Sequence, residues 1–169
     1  MFQELWESIE TASDRKLPRA IADAAKRYDD MMLGYEVVPD EGIDFLIKLF
    51  SSERVLHASG IEHFLLDINV DLCKYTLGQR TRLLNVLVDN AGRVADELGR
   101  HSVGDFIARA YPSDMAFATF LDLAARSHQD RHVAFVGLDV LRMREPEESA
   151  LYRKIEKKWL EVLNSESKS

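Results

Sequence analysis

Apolar residues recur at helical spacing along nearly the whole chain. Phe2, Leu5, Trp6 and Ile9 form one stripe and Leu151, Ile155, Trp159 and Val162 another, each with charged residues on the opposite side of the helix. The same periodicity predicts helices from about Phe2 to Ala12, Pro18 to Leu33, Asp40 to Phe50, Glu53 to Leu66 and Leu77 to Ala91. Further along it predicts Gly92 to Leu98, Val103 to Ala110, Ser113 to Ala125, Asp130 to Met143 and Pro146 to Leu163. The four prolines, at 18, 39, 112 and 146, each stand where one of these helices would begin, as expected of a residue whose fixed φ and missing N–H suit the first turn. Alternating β-branched runs are nearly absent. The best strand candidate, Glu36-Val37-Val38, is too short and too close to Pro39. The pattern therefore predicts an all-α protein of about 8–10 helices, a single domain over residues 1–164 whose first and last helices close the ends of the core. The segment 165–169 is expected to be a polar frayed tail.

An internal echo refines this expectation. With Gly60 laid over Gly137, an offset of 77 pairs Glu53-Arg54 with Asp130-Arg131, Leu56 with Val133, Ile61 with Leu138 and Phe64 with Leu141. Each segment follows another amphipathic helix, Ile43 to Phe50 and Phe117 to Ala125, across a short polar turn. Two units of about 38 residues fit that offset, the length of HEAT and armadillo repeats. From Asp40 to Met143 the chain resembles a short HEAT-like α-solenoid, and an irregular helical bundle is the competing arrangement.

At 169 residues and 46% hydrophobic, the chain can bury one core without staples. Cys73 is the sole cysteine, so no internal disulfide forms; its apolar neighbourhood of Ile68, Val70 and Leu72 predicts a buried, inert thiol in a reducing cytoplasm. The opening MFQELWESIE has acids where a signal peptide needs bases, and no apolar window approaches the length of a membrane span, so neither secretion nor insertion is expected.

Charge changes the picture most. From Asp29 to Asp71 there are ten acids and two bases, Lys48 and Arg54, a net −8, whereas the other 126 residues sum to +1. Such a field attracts cationic partners and repels phosphate backbones. Aromatic and apolar residues are interleaved with the acids. Phe45, Leu46 and Leu49 are expected in the core, which leaves Tyr35, Asp40, Glu41 and Asp44 toward solvent, with Glu62, Asp67 and Asp71 extending the patch along the next helices. Rigid aromatics supply binding energy and clustered carboxylates steer a basic partner. In size, charge and fold type the chain resembles bacterial immunity proteins, which neutralise a toxin by covering a cationic surface, often that of a nuclease. That resemblance implies a basic toxin domain as partner and binding through these seven residues.

Catalytic and metal chemistry find little support. Di-iron bundles need Glu-x-x-His pairs, and none occurs. Asp67-Ile-Asn69-Val-Asp71 opens like a calcium loop, but Leu72 and Gly78 stand where Gly and Glu are required. His128 and His132 have metal-ligand spacing without a third ligand nearby in sequence, and with Asp130 expected as a helix cap His128 falls in the preceding turn. His57 and His63 are six apart and diverge. No nucleophile elbow, phosphate loop or dinucleotide fingerprint is present. Lys74 beside Cys73 does not face it on a helix. The bases at Arg80, Arg82, Arg93, Arg100, His101, Arg109, Arg153, Lys154, Lys157 and Lys158 are interleaved with acids, and the pI is near 5.3, unlike the cationic channel of the HEAT-like DNA glycosylases. The expectation is a protein-binding module that is not an enzyme, with no cofactor, metal or nucleic acid. Its alternatives are a solenoid adaptor that accepts a peptide or helix in its groove and, further off, a HEAT-like nucleic-acid-processing protein.

Overall fold

The computed structural model describes residues 1–166. Ten α-helices account for most of them: α1 (Phe2–Glu10), α2 (Leu17–Met32), α3 (Asp40–Ser51), α4 (Glu53–Leu56), α5 (Ile61–Val70), α6 (Leu77–Asn90), α7 (Glu97–Ala110), α8 (Ser113–Ala124), α9 (His128–Arg144) and α10 (Ala150–Glu166). Short 3-10 turns lie at Leu72–Lys74 and Ala91–Arg93, and no strand occurs among the described residues. No helix among them is long and apolar enough to cross a membrane.

The helices stack progressively. α1 packs on α2 and α3, α2 on α5, α3 on α6, α5 and α6 on α7, α7 on α9, and α9 on α8 and α10. The end helices close the core as their stripes require: Leu5, Trp6 and Ile9 are buried at one end, Ile155 and Val162 at the other. An aromatic cluster joins three helices in the first half. The Tyr28 ring stacks on Phe45 at 5.7 Å, and Phe64 meets both edge-on at 5.7 and 5.6 Å. Burying a side chain of this size contributes about 1.5–3 kcal/mol, which makes this cluster the main tie among α2, α3 and α5. At the far end Trp159 of α10 stacks on Phe135 of α9 at 5.6 Å, and the Arg142 guanidinium lies 4.5 Å from the centre of the Trp159 ring.

Several boundaries differ from the sequence expectation. The helix expected from Glu53 to Leu66 is broken in two, because Gly60 adopts φ +101, a left-handed conformation that only glycine takes at little cost. The helix expected from Gly92 to Leu98 does not form. Asp96 instead turns out of helical conformation and accepts the Gly99 N–H at 2.9 Å, so one helix starts at Glu97 and absorbs the piece expected from Val103. His128 is the first residue of α9, not part of the preceding turn: Ser127 is the cap and Asp130 completes a capping box three residues later. Pro146 initiates a turn, and α10 begins at Ala150. That helix continues through Glu166, so residues 165 and 166 of the expected frayed tail are helical and 167–169 lie outside the described residues. Cys73 is exposed, because the 3-10 turn at Leu72–Lys74 ends the α5 stripe before reaching it.

The two glycines that anchor the sequence echo do different things. Gly60 starts α5, whereas Gly137 lies inside α9 against the Phe120 ring, where no Cβ fits. Gly104 of α7 makes the matching close approach: a Cβ there would lie 2.8 Å from the Val133 carbonyl oxygen and 3.1 Å from the Gly137 nitrogen. Two small residues thus bring the α7 and α9 backbones together.

Candidate protein-binding site

The acidic face is organised by the loop from Leu33 to Pro39. Both its ends are pinned by Lys74: the Val38 N–H donates to the Lys74 carbonyl at 3.1 Å, and Lys74 Nζ donates to the Met32 carbonyl at 3.2 Å. Gln79, buried at the start of α6, donates from Nε2 to the Val38 carbonyl at 2.8 Å and to Asp40 Oδ1 at 2.9 Å, while its Oε1 accepts the Thr76 N–H at 3.0 Å. One amide side chain thus caps α6 and holds the entry to α3. Val38 is fully buried, and Leu33, Tyr35 and Val37 are left facing solvent.

Between α1 and α3 this arrangement opens a groove of about 560 Å³, lined by Phe2, Trp6, Tyr35, Pro39 and Phe45 with Glu41 and Asp44 at its acidic side. Lys48, also in the lining, sits 4.6 Å above the Trp6 ring. Asp44 pairs with Arg82 across to α6, and Asp40 is held by Gln79, so Glu41, exposed in the first turn of α3, offers the freest charge. An aromatic floor beside carboxylates accepts an apolar side chain flanked by a cation. Leu33, Val37 and Leu77, 79%, 52% and 77% exposed, add apolar surface on the adjoining loop and helix.

The seven expected residues do not form one patch. Tyr35, Asp40, Glu41 and Asp44 share the α1/α3 side. Glu62 is half-buried and turns back to accept the Gly60 N–H at 2.7 Å, which satisfies the start of its own helix. Asp71 is buried and paired with Lys74 at 3.0 Å. Asp67 lines a separate recess between α2 and α5 with Lys26, Asp29 and His63. Burial, then repulsion from Asp29 and Asp71, pushes its carboxyl up to about 6, with His63 opposing. Burial likewise pushes up the nearby Tyr28 and Tyr75 hydroxyls. The split follows from α5 itself: Ile61, Phe64, Leu65 and Ile68 face the core, so the acids between them are turned to different neighbours.

A second group lies on the other half of the molecule. Glu97 and His101 on α7 and His132 on α9 each bring a ligand atom within 4.8 Å of the others. In the sequence His132 has metal-ligand spacing only to His128. The legible signal was Glu97 and His101, four apart on one helix; what brings His132 to them is the α7/α9 approach at Gly104.

No family model, curated protein or solved structure matches this chain. The functional reading therefore rests on the chemistry of the groove. Its acids and aromatics come from three separate segments, α1, the 33–39 loop and α3, held in register by the Tyr28–Phe45–Phe64 cluster below them. Several arginines of the other half are engaged within the protein by contrast: Arg80 donates to the Tyr75 carbonyl, Arg100 to that of Val94 and Arg144 to that of Ala108, while Arg109 and Arg142 pair with Asp105 and Asp139.

Proposed function

We propose that the protein is a stoichiometric protein-binding module that receives a basic, partly apolar segment of a partner in the α1/α3 groove. In its most concrete form it is an immunity-type inhibitor covering the cationic surface of a toxin domain. The observation that carries this reading is the coincidence, in one groove, of an aromatic floor and the acids Glu41 and Asp44. A peptide-accepting groove and an acidic docking patch, separate expectations from the sequence, meet at this place, so the adaptor and inhibitor readings share one surface. Glu62, Asp67 and Asp71 lie apart from the groove and contribute to a partner's approach through their field rather than by contact. The engagement of the arginines by carbonyls and carboxylates supports a protein partner over a nucleic acid.

A photo-crosslinking residue in place of Tyr35, expressed in the source cell, tests the proposal. The expected result is one basic protein captured, with capture lost at high salt and in a Glu41→Lys/Asp44→Lys variant, because both changes remove the steering field. Equal capture by the variant would overturn it.

A further inference from the structure

We propose that Glu97, His101 and His132 form a binding site for one divalent first-row transition-metal ion, zinc foremost, with three protein ligands and a fourth position left to water. Glu97 and His101 are one turn apart on the same side of α7, and His132 enters from the second turn of α9. The two imidazole rings lie 5.3 Å apart between centroids and are inclined at 46°. A ligand atom from each of the three residues lies within 4.8 Å of the other two. A tetrahedral zinc with bonds of about 2.0–2.1 Å holds its ligands about 3.4 Å apart, so the side chains need close by only about an ångström, and the exposure of Glu97 and His101 leaves them free to do so.

The backbone beneath the site is fixed. The α7/α9 seam is held at the approach of Gly104 to the Val133 carbonyl, one helical turn from His101 and next to His132, so the two histidines are presented by elements that cannot drift apart. The other nearby acids are committed elsewhere: Asp96 accepts the Gly99 N–H at 2.9 Å, Asp130 accepts the Ser127 hydroxyl at 2.7 Å, and Asp105, one turn beyond His101, pairs with Arg109 at 2.8 Å. Glu97 is the carboxylate left to face the imidazoles. The donor set selects the ion: two imidazole nitrogens and one carboxylate suit zinc, cobalt or nickel, whereas calcium and magnesium require mostly oxygen ligands in greater number. Three protein ligands with an open fourth position make a site that exchanges ligands, unlike the closed four-ligand sites of purely structural zinc.

Tag-free, chelator-treated full-length protein titrated with zinc chloride in a non-coordinating buffer, and in parallel with cobalt(II) followed by its visible absorption, tests the site. One ion per chain and an intense tetrahedral cobalt band are expected. His101→Ala should weaken binding by about 100-fold or more and Glu97→Gln by about tenfold, while His63→Ala, in the recess between α2 and α5, leaves it unchanged. Both His101 and Glu97 are exposed, so these variants test the site even where His132→Ala unfolds the protein. No cobalt band, or the same zinc affinity in His101→Ala as in the parent, would overturn the assignment.

Discussion

Gly137 of α9 packs directly against the ring of Phe120 on α8, leaving no room for even a methyl group between them. This contact sets the spacing of the second half: α8 lies on one side of α9, and α7 closes on the other through Gly104. Gly137→Ala should therefore cost about 1–3 kcal/mol by overpacking, although alanine favours the helix. Pairing it with Phe120→Leu should recover part of the loss. A double-mutant cycle by urea denaturation measures the coupling, and strict additivity would show that the two residues do not share the space.

Asp67 should make stability fall as pH rises through the mildly acidic range. Its carboxyl, ordinarily near 3.8, is raised to about 6 in the folded protein, so the folded state holds the proton more tightly than the unfolded state does. The associated stability is fully present below about pH 4 and is lost as pH passes about 6. The site is only half-buried, and with solvent screening allowed for, Asp67→Asn should add about 1 kcal/mol at neutral pH and almost nothing below pH 4. Thermal melts of both proteins across that range read the difference directly; a constant offset at all pH values would contradict it.

Gln79 holds the loop that builds the groove. Gln79→Ala removes the donor to the buried Val38 carbonyl and the Asp40 carboxylate, and should destabilise by about 1–3 kcal/mol. Amide hydrogen exchange should accelerate first at Val38, whose N–H bonds to Lys74 across the same junction. Unchanged protection there would mean the loop is held by other contacts.

Gly60→Ala should cost about 1–2 kcal/mol, since φ +101 forces a side chain into a strained region and the new Cβ would stand 3.1 Å from the Pro18 carbonyl oxygen. Gly78→Ala on α6, where a Cβ meets nothing within 4 Å, should be neutral or stabilising. Equal chemical-denaturation midpoints for the two variants would refute the backbone argument.

Spacing alone made the helices legible: the stripes of α1 and α10, the prolines ahead of α3 and α8, and the near absence of alternating β-branched runs each report on neighbours a few residues away. The errors arose where a local signal had two outcomes. Asp96 could sit within a helix or cap one, and Gly60 could continue a helix or break it; in both cases packing of α5 and α7 decided, not propensity. The groove is legible in part, since Tyr35, Glu41 and Asp44 stand out by charge and aromatic content, but Phe2 and Trp6 on its other wall come from a helix whose stripe signals only an end cap.

The helical class, the end helices and the concentration of negative charge follow from local pattern, because periodicity and net charge are sums over nearby residues. It takes the packed fold to pair and bury Asp71 while leaving Glu41 exposed, and to bring His101 of α7 to His132 of α9. Which face an acid turns to, and which histidine it meets, depend on how helices distant in sequence cross, and those crossings are set by the close fit of residues such as Gly104 and Gly137 against partners no local pattern names.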